Sequence, residues 1–323
     1  MSEIKNEIKA EAERLGFCLC GITTADPPED FPRYLQWVRE DSLGTMNYLK
    51  RDDTLAKRAD PHLLLPDARS IIVLAVPMGI FPQAEAFSVA SYAHYNDYHD
   101  AILPMAEALV SFIRHLTGDP LSYRICIDSA PILERSLAVR AGLGWIGKSS
   151  MLISRKFGSA FFLSEILLSL PLEPDTPFSA DGCGSCSRCV DACPNGCIDP
   201  HTRTIQADRC AAYLTIEHKG EFTEEQSALV GTHLFGCDEC LRACPWNRHN
   251  SGTSPLPSAD ALPGETDELL TQDEFRRKFQ NSPVLRTKIK GLQRNINAVR
   301  ANLQKSEERA QNPVPDRSDD RLL

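Results

Sequence analysis

The segment CGSCSRCVDACP (183–194), answered by CDECLRACP (237–245), decides what kind of chain this is. Its spacing is Cys183-x2-Cys186-x2-Cys189-x3-Cys193, closed by Pro194; a lone Cys210 follows, then Cys237-x2-Cys240-x3-Cys244, closed by Pro245. Three thiolates two residues apart sit on one tight loop and can hold one face of an iron–sulfur cube, while the next cysteine, three residues on, is carried toward a second cube. By that logic one 4Fe–4S cluster takes Cys183, Cys186, Cys189 and Cys244, and the other takes Cys193, Cys210, Cys237 and Cys240. Eight thiolates could also fill two tetrahedral zinc sites. Zinc usually draws on paired Cys-x2-Cys knuckles, so the triple run ending in Cys-Pro favours iron–sulfur.

The first run has the bacterial ferredoxin pattern. Between Cys210 and Cys237, however, lie 26 residues where a plain ferredoxin has two. Twelve cysteines in 323 residues, behind a charged amino terminus (MSEIKNEIKAEAER), point to reduced thiols and a cytoplasmic setting. No apolar run approaches the roughly 18 residues of a membrane span, so a secreted precursor and a membrane-spanning protein are excluded. A composition of 42% hydrophobic and 24% charged residues also excludes a disordered chain. The remaining Cys18, Cys20, Cys126 and Cys197 are read as small buried apolar residues; Cys197 stands nearest the cluster loop.

Lys plus Arg is 35 and Asp plus Glu is 44, a net charge of −9 that argues against a nucleic-acid partner. The charge is uneven, however. From Phe275 to Lys305 there are nine Lys or Arg residues and no acid. Such a segment can track a phosphate backbone whatever the total charge; a solvated helical face is the other reading.

Working along the chain, Ile4, Ile8, Ala12 and Leu15 share one face of a helix over 2–15, and Pro32–Glu40 is a second helix. SIIVLAVP (70–77) is a strand, and Pro104–Leu116 is a helix begun by its proline. Leu121–Asp128 is a strand, Pro131–Ala141 a helix, and Met151–Ser154 and Ala160–Ser169 are strands. This mixture predicts an α+β chain. A mixed α/β domain (1–175) leads through the linker PLEPDTPFSADG (171–182) to a ferredoxin-like two-cluster domain (176–250). A short basic helical region (251–323) ends in PVPDRSDDRLL, expected to fray.

One motif misleads. GLGWIGKS (142–149) satisfies both GxGxxG and GxxxxGK[ST]. A phosphate-binding loop needs a strand before it and a helix after it, so that helix amides meet the phosphates. Here a helix precedes and a strand follows. These glycines are read as a sharp helix-to-strand turn.

Several segments together resemble the epoxyqueuosine reductase family: the doubled cysteine motif, CAAYLTIEHKG (210–220), IDSAPILERSLAVRAGLGWIGKSS (127–150), SYAHYNDYH (91–99), KRADPHLLLPDARSIIVLAVP (57–77) and SPVLRTKIKGLQRNINAV (282–299). The resemblance implies an oxidoreductase, related in its core to reductive dehalogenases. Such an enzyme uses cobalamin and two 4Fe–4S clusters to reduce epoxyqueuosine to queuosine in a tRNA anticodon. Turning an epoxide into an alkene takes two electrons and two protons and releases oxygen as water. Clusters deliver single electrons, so a second redox centre has to accumulate two. No Asp-x-His-x-x-Gly fingerprint is present, and cobalamin follows from the resemblance alone. The chain departs from the family in two respects: many members carry a further helical-repeat domain, and Cys197 stands where members commonly have a small apolar residue.

The resemblance also implies roles. Asp128 donates a proton to the epoxide oxygen, which calls for a carboxyl raised in pKa by burial; on its own it reads as a helix N-cap. Arg58, Asp128, Ser149, Ala212 and Asp238 fall at positions that approach cobalamin, and Tyr98 and His99 brace its pocket. Glu217, His218 and Lys219 touch the anticodon nucleoside. Arg286, Lys288, Lys290 and Arg294 contact tRNA phosphates. The expected partners are tRNA and an external electron donor, with no membrane and a monomeric chain. Two alternatives stand beside this one. A reductive dehalogenase-like enzyme acting on a small molecule is opposed by the YLTIEH segment and the basic tail. A non-catalytic iron–sulfur electron carrier is opposed by the large domain ahead of the clusters.

Overall fold

The apolar run Ser70–Pro77 forms the centre of a four-stranded antiparallel sheet in the order Leu19–Thr24, Ser70–Pro77, Phe161–Leu168, Tyr123–Cys126. The computed structural model describes residues 2–40, 42–82, 87–118, 120–248 and 253–311. Alternate side chains leave opposite faces of a strand, and here both faces are covered. Ile72, Leu74 and Val76 pack with Ile8 and Ala12 of the helix Ser2–Arg14 and with Ile102, Leu109 and Ile113 of the helix Tyr98–Thr117. Ile71, Val73 and Ala75 pack on Leu137 and Ala138 of the helix Glu134–Arg140. Burial on both sides explains why the run carries no polar alternation, each large aliphatic contributing about 1.5–3 kcal/mol. The α+β class is what the structure shows.

Element boundaries shift where local signals compete. The helix expected to begin at Pro104 starts at Tyr98 and keeps Pro104 inside. Its start is fixed by Asp97, whose carboxylate accepts the His99 N–H at 3.0 Å and so caps the helix upstream of the proline. The helix expected from Pro131 begins only at Glu134, because the preceding loop is held in another conformation, with Asp128 at φ 54°. The linker 171–182 has no regular structure but is strapped down: Asp175 accepts the Ile22 N–H at 2.8 Å and pairs with Lys5 and Lys9, each at 2.7 Å.

In the cysteine-rich part, the short helices Arg188–Asp191 and Glu239–Arg242 follow the two cysteine loops, and a hairpin joins Ile198–Asp199 to Thr204–Ile205. The inserted segment supplies the helix Ala211–Ile216, with Tyr213, Leu214 and Thr215 buried. The parts interlock. Ser88–Val89 pairs in parallel with His233–Phe235, and Ser88 Oγ meets His233 Nδ1 at 2.5 Å. The last helix, Lys288–Gln311, seats Leu292, Ile296 and Val299 against Leu214, Val230, Leu234 and Phe235. Among the described residues no helix is long and apolar enough to cross a membrane. PVPDRSDDRLL lies outside the described residues.

Candidate active site and iron–sulfur module

The structure gathers the motif cysteines into two groups of four. Cys189 faces Cys183 and Cys244, and Cys244 also faces Cys186. Cys240 faces Cys237, Cys210 and Cys193. Every donor is sulfur, a set that fits 4Fe–4S clusters.

Around the first group the GLGWIGKS turn acts as a floor. It follows the helix Glu134–Arg140 and enters the strand Trp145–Ile146, so no helix amides are offered to a phosphate. Lys148 Nζ donates to the carbonyls of Gly184 (2.8 Å) and Cys186 (2.9 Å), and the Trp145 indole N–H points at Cys183 Sγ at 3.5 Å. The glycines serve close packing: a Cβ on Gly144 would sit 2.0 Å from the Ile153 carbonyl oxygen, and one on Gly147 2.4 Å from Ile153 Cδ1.

Around the second group a ninth thiol intrudes. Cys197 is 3% exposed, as expected of an apolar filler, but its Sγ lies 3.4 Å from Cys193 Sγ and also bonds Cys210. Cys210 further accepts the backbone N–H groups of Tyr213 and Ala212. Cys18, Cys20 and Cys126 stand apart, and burial pushes each thiol up to about 12.

Asp128 has 61% of its side chain exposed, and the charge of Arg286 acts on it from the segment ahead of the last helix. The Tyr98 hydroxyl donates to its Oδ2 at 3.0 Å, and His99 Nε2 stands 3.6 Å from the same oxygen. On the other side of the ring, His99 Nδ1 meets Asp97 Oδ1 at 2.7 Å. The expected upward shift of Asp128 is therefore reversed. The adjacent His99, helped by Tyr98, holds its carboxyl below the usual range. His99, between two carboxylates, is raised to about 9. At neutral pH the proton of this pair resides on the imidazole.

The residues expected at cobalamin differ in what they present. Arg58 NH1 donates to the Ile132 carbonyl at 2.7 Å and its guanidinium lies 5.1 Å from the Tyr34 ring centroid, yet its Nε is buried with no acceptor. Asp238 is 7% exposed; its carboxylate accepts the Ser91 N–H at 2.6 Å and pairs with Arg242 at 3.6 Å, and Arg242 leaves buried N–H groups unbonded. Ser149 is buried, and Ala212 is half-buried beside Cys210. The buried N–H groups of Arg58 and Arg242 that lack acceptors fit a cofactor rich in amide carbonyls.

Of the residues expected to contact tRNA, Glu217 and Arg286 form a bidentate pair with each other at 2.8 and 3.0 Å. The charges of Glu217, Arg286, Asp128 and Arg58 all act on Tyr48, which puts this pair in the neighbourhood of Asp128. His218 packs beside Phe222, and burial lowers its pKa; Lys219 is exposed. Arg294 cannot serve as a phosphate contact. It is 8% exposed, lies 4.0 Å over Phe222, and donates to the carbonyls of His218, Gly220 and Leu214 at 2.8–3.0 Å. Lys278 and Arg300 are also tied down, to Asp267 and Glu268. Lys288 and Lys290 remain exposed.

Two acids close to Asp128 are absent from the sequence reading. Glu134 Oε1 accepts the Asp128 N–H at 3.0 Å, and Glu165 is fully buried behind it. Glu165 carries a legible signal, being a charged residue inside the apolar strand FFLSEILL.

Comparison with known proteins places this geometry. The profile described as "Epoxyqueuosine reductase QueG, DUF1730" matches residues 58–129, and that described as "4Fe-4S double cluster binding domain" matches residues 182–247. The cysteine-rich part is thus a domain that binds two 4Fe–4S clusters. An epoxyqueuosine reductase of Cellulophaga algicola is 38% identical over 304 residues, 91% of this chain and 97% of that protein. A crystal structure of an epoxyqueuosine reductase with an epoxyqueuosine-modified tRNA-Tyr stem loop aligns at 27% identity and a TM-score of 0.79, covering 95% of this chain and 83% of that one. A Bacillus subtilis epoxyqueuosine reductase, solved with its catalytic Asp loop swung out of the active site, aligns at 27% identity and a TM-score of 0.77, covering 96% and 84%. The chain belongs to the epoxyqueuosine reductase family.

Proposed function

We propose that this chain reduces the epoxyqueuosine of a tRNA anticodon loop to queuosine, with Asp128 passing the proton that opens the epoxide. The observation that carries the reading is the Asp97–His99–Asp128 row, with the Glu217–Arg286 pair near enough for the charges of both to act on Tyr48. When bound, the clusters supply single electrons and the cobalamin implied by the family accumulates two at one centre. Cys183, Cys186, Cys189 and Cys244 would hold one cluster, and Cys193, Cys210, Cys237 and Cys240 the other. Arg58, Ser149, Ala212 and Asp238 would border the cobalamin.

The protein's own part is proton delivery. Tyr98 orients Asp128 Oδ2, and the imidazolium of His99 supplies the proton that leaves through Asp128 to the epoxide oxygen as the first C–O bond breaks. The structural relative that carries a modified tRNA stem loop supports tRNA as the substrate-bearing partner. Lys288 and Lys290 are the exposed cations suited to its phosphates, and Lys219 to the loop near the nucleoside.

The test is mass spectrometry of nucleosides from epoxyqueuosine-containing tRNA after anaerobic incubation with reconstituted protein, cobalamin and a strong reductant. Cobalamin-dependent loss of one oxygen is the expected result. No conversion by protein shown to hold both clusters and cobalamin would refute the reading.

A further inference from the structure

Glu134 Oε1 accepts the Asp128 N–H at 3.0 Å, six residues back along the chain. Glu165 sits mid-strand opposite Val73 and Cys126, fully buried, and neither of its carboxyl oxygens has a hydrogen-bond partner. The charges of Glu134 and Asp128 both act on it. The cations facing Glu134 are Arg135 and Arg58, and both are engaged elsewhere. Arg135 donates to the carbonyl and hydroxyl of Ser150, and Arg58 to the carbonyl of Ile132.

Three carboxyls in one region, of which only Asp128 has a cation beside it, cannot all ionise. Asp128 has His99 and Tyr98 to stabilise its charge. Glu165 has no partner, and a buried carboxyl in that position stays neutral. Glu134 lies between these extremes: burial, and then the charge of Asp128, raises it to about 7, where it holds or releases a proton at neutral pH.

The reaction needs that proton. Removing an epoxide oxygen breaks two C–O bonds, consumes two electrons from the external donor and two protons, and releases water. The His99–Asp128 pair accounts for the first proton, on the oxygen as the ring opens. The second is required as the resulting hydroxyl leaves. We propose that Glu134 is the residue that recharges Asp128 with this second proton, while Glu165 stays neutral and takes no part in the transfer. Glu134 touches the amide of Asp128 rather than the substrate, so it is a positioning residue, and its proton reaches the Asp128 carboxylate through solvent, to which 61% of that side chain is open. The inference rests on the reading of the chain as an epoxyqueuosine reductase.

Glu134→Gln separates the two duties, because its amide oxygen still accepts the Asp128 N–H while no transferable proton remains. The expected result is a fall in kcat of about 100-fold with KM unchanged and with the pH dependence near neutrality lost; Glu134→Asp restores part of the rate. A second readout needs no turnover. In substrate-free protein, infrared difference spectra between about pH 5 and pH 9 should show a protonated-carboxyl band that titrates near neutrality and is missing in Glu134→Gln. A second, non-titrating band should be missing in Glu165→Gln. Wild-type kcat and pH profile in Glu134→Gln, or absence of the titrating band from wild-type protein, would overturn the inference. Wild-type protein that converts no epoxyqueuosine overturns the parent reading and this inference with it, whereas normal conversion by both proteins overturns the inference alone.

Discussion

His99 Nε2 stands 3.6 Å from Asp128 Oδ2, and this approach sets the charge state of the pair. The pair is a proton reservoir whose proton sits on the ring, raised to about 9 by Asp128 and Asp97 together. Because the folded-state value lies above the unfolded one of about 6.5, the bound proton stabilises the fold. That stability is fully present below the unfolded value and is lost as pH rises through about 9. In His99→Asn the loss of Tm between those limits should flatten relative to wild type. Turnover of the wild type should fall along the same limb. Thermal melts at stepped pH check the first expectation, and a pH–rate profile the second.

Asp128→Asn keeps an oxygen for Tyr98 but cannot pass a proton. Iron and cobalamin content should match wild type, while conversion of epoxyqueuosine falls by about 10²–10⁴-fold. The His99 ring should also return toward its ordinary pKa, since its principal partner has lost its charge. NMR titration of the imidazole follows this directly. Retained turnover would remove Asp128 from the proton path.

The basic tail divides into structural and solvent-facing cations, and the two kinds should respond differently. Arg294 holds three carbonyls in a buried setting. Arg294→Ala leaves them unsatisfied and should cost about 3 kcal/mol or more, seen as a lowered Tm. Lys288→Ala and Lys290→Ala should leave Tm unchanged. Each instead should reduce the slope of log affinity against log salt for tRNA by about 0.7–0.9. An unchanged slope in both would make this a solvated face and nothing more.

What the sequence disclosed depended on how local the cause is. SIIVLAVP reads as a strand because double-sided burial requires an unbroken apolar run, and the cysteine spacing reads as two clusters because ligand loops are short. The start of the helix at Tyr98 was masked by Pro104, which imitates a first-turn proline; the deciding cap, Asp97, lies in NDYH, which reads equally well as a turn. The burial of Arg294 was not legible, since Leu214, His218 and Phe222, which surround it, are far away in sequence. The sense of the shift on Asp128 likewise depends on His99, brought to it only by folding. Glu165 could have been found: a lone acid in an otherwise apolar strand calls for an explanation.

Lys148 completes a pattern that mimics a phosphate-binding loop but spends its ammonium on the carbonyls of Gly184 and Cys186, within the first cysteine loop. Lys148→Ala should therefore leave nucleotide binding as it is, which is absent on this reading, and loosen the loop that carries Cys183 and Cys186. Faster bleaching of the iron–sulfur absorbance under air or chelator, confined to about half of the total, is the expected outcome. Calorimetric binding of ATP to the wild-type protein would instead reinstate the phosphate-loop reading.

Cys197 allows the partition of the thiols itself to be tested. Its Sγ lies 3.4 Å from Cys193 and bonds Cys210, two of the four thiols of the second group. With both of those sulfurs committed to iron, the Cys197 S–H becomes a donor to ligand sulfur, and such hydrogen bonds raise a cluster's reduction potential. Cys197→Ala should accordingly keep the full iron content and lower the potential of one cluster while leaving the other unmoved, read by a potentiometric titration followed by EPR. Cys193→Ala should lose iron. If Cys197→Ala loses iron while Cys193→Ala keeps it, Cys197 is the ligand and the cysteine spacing has been assigned one residue set too early.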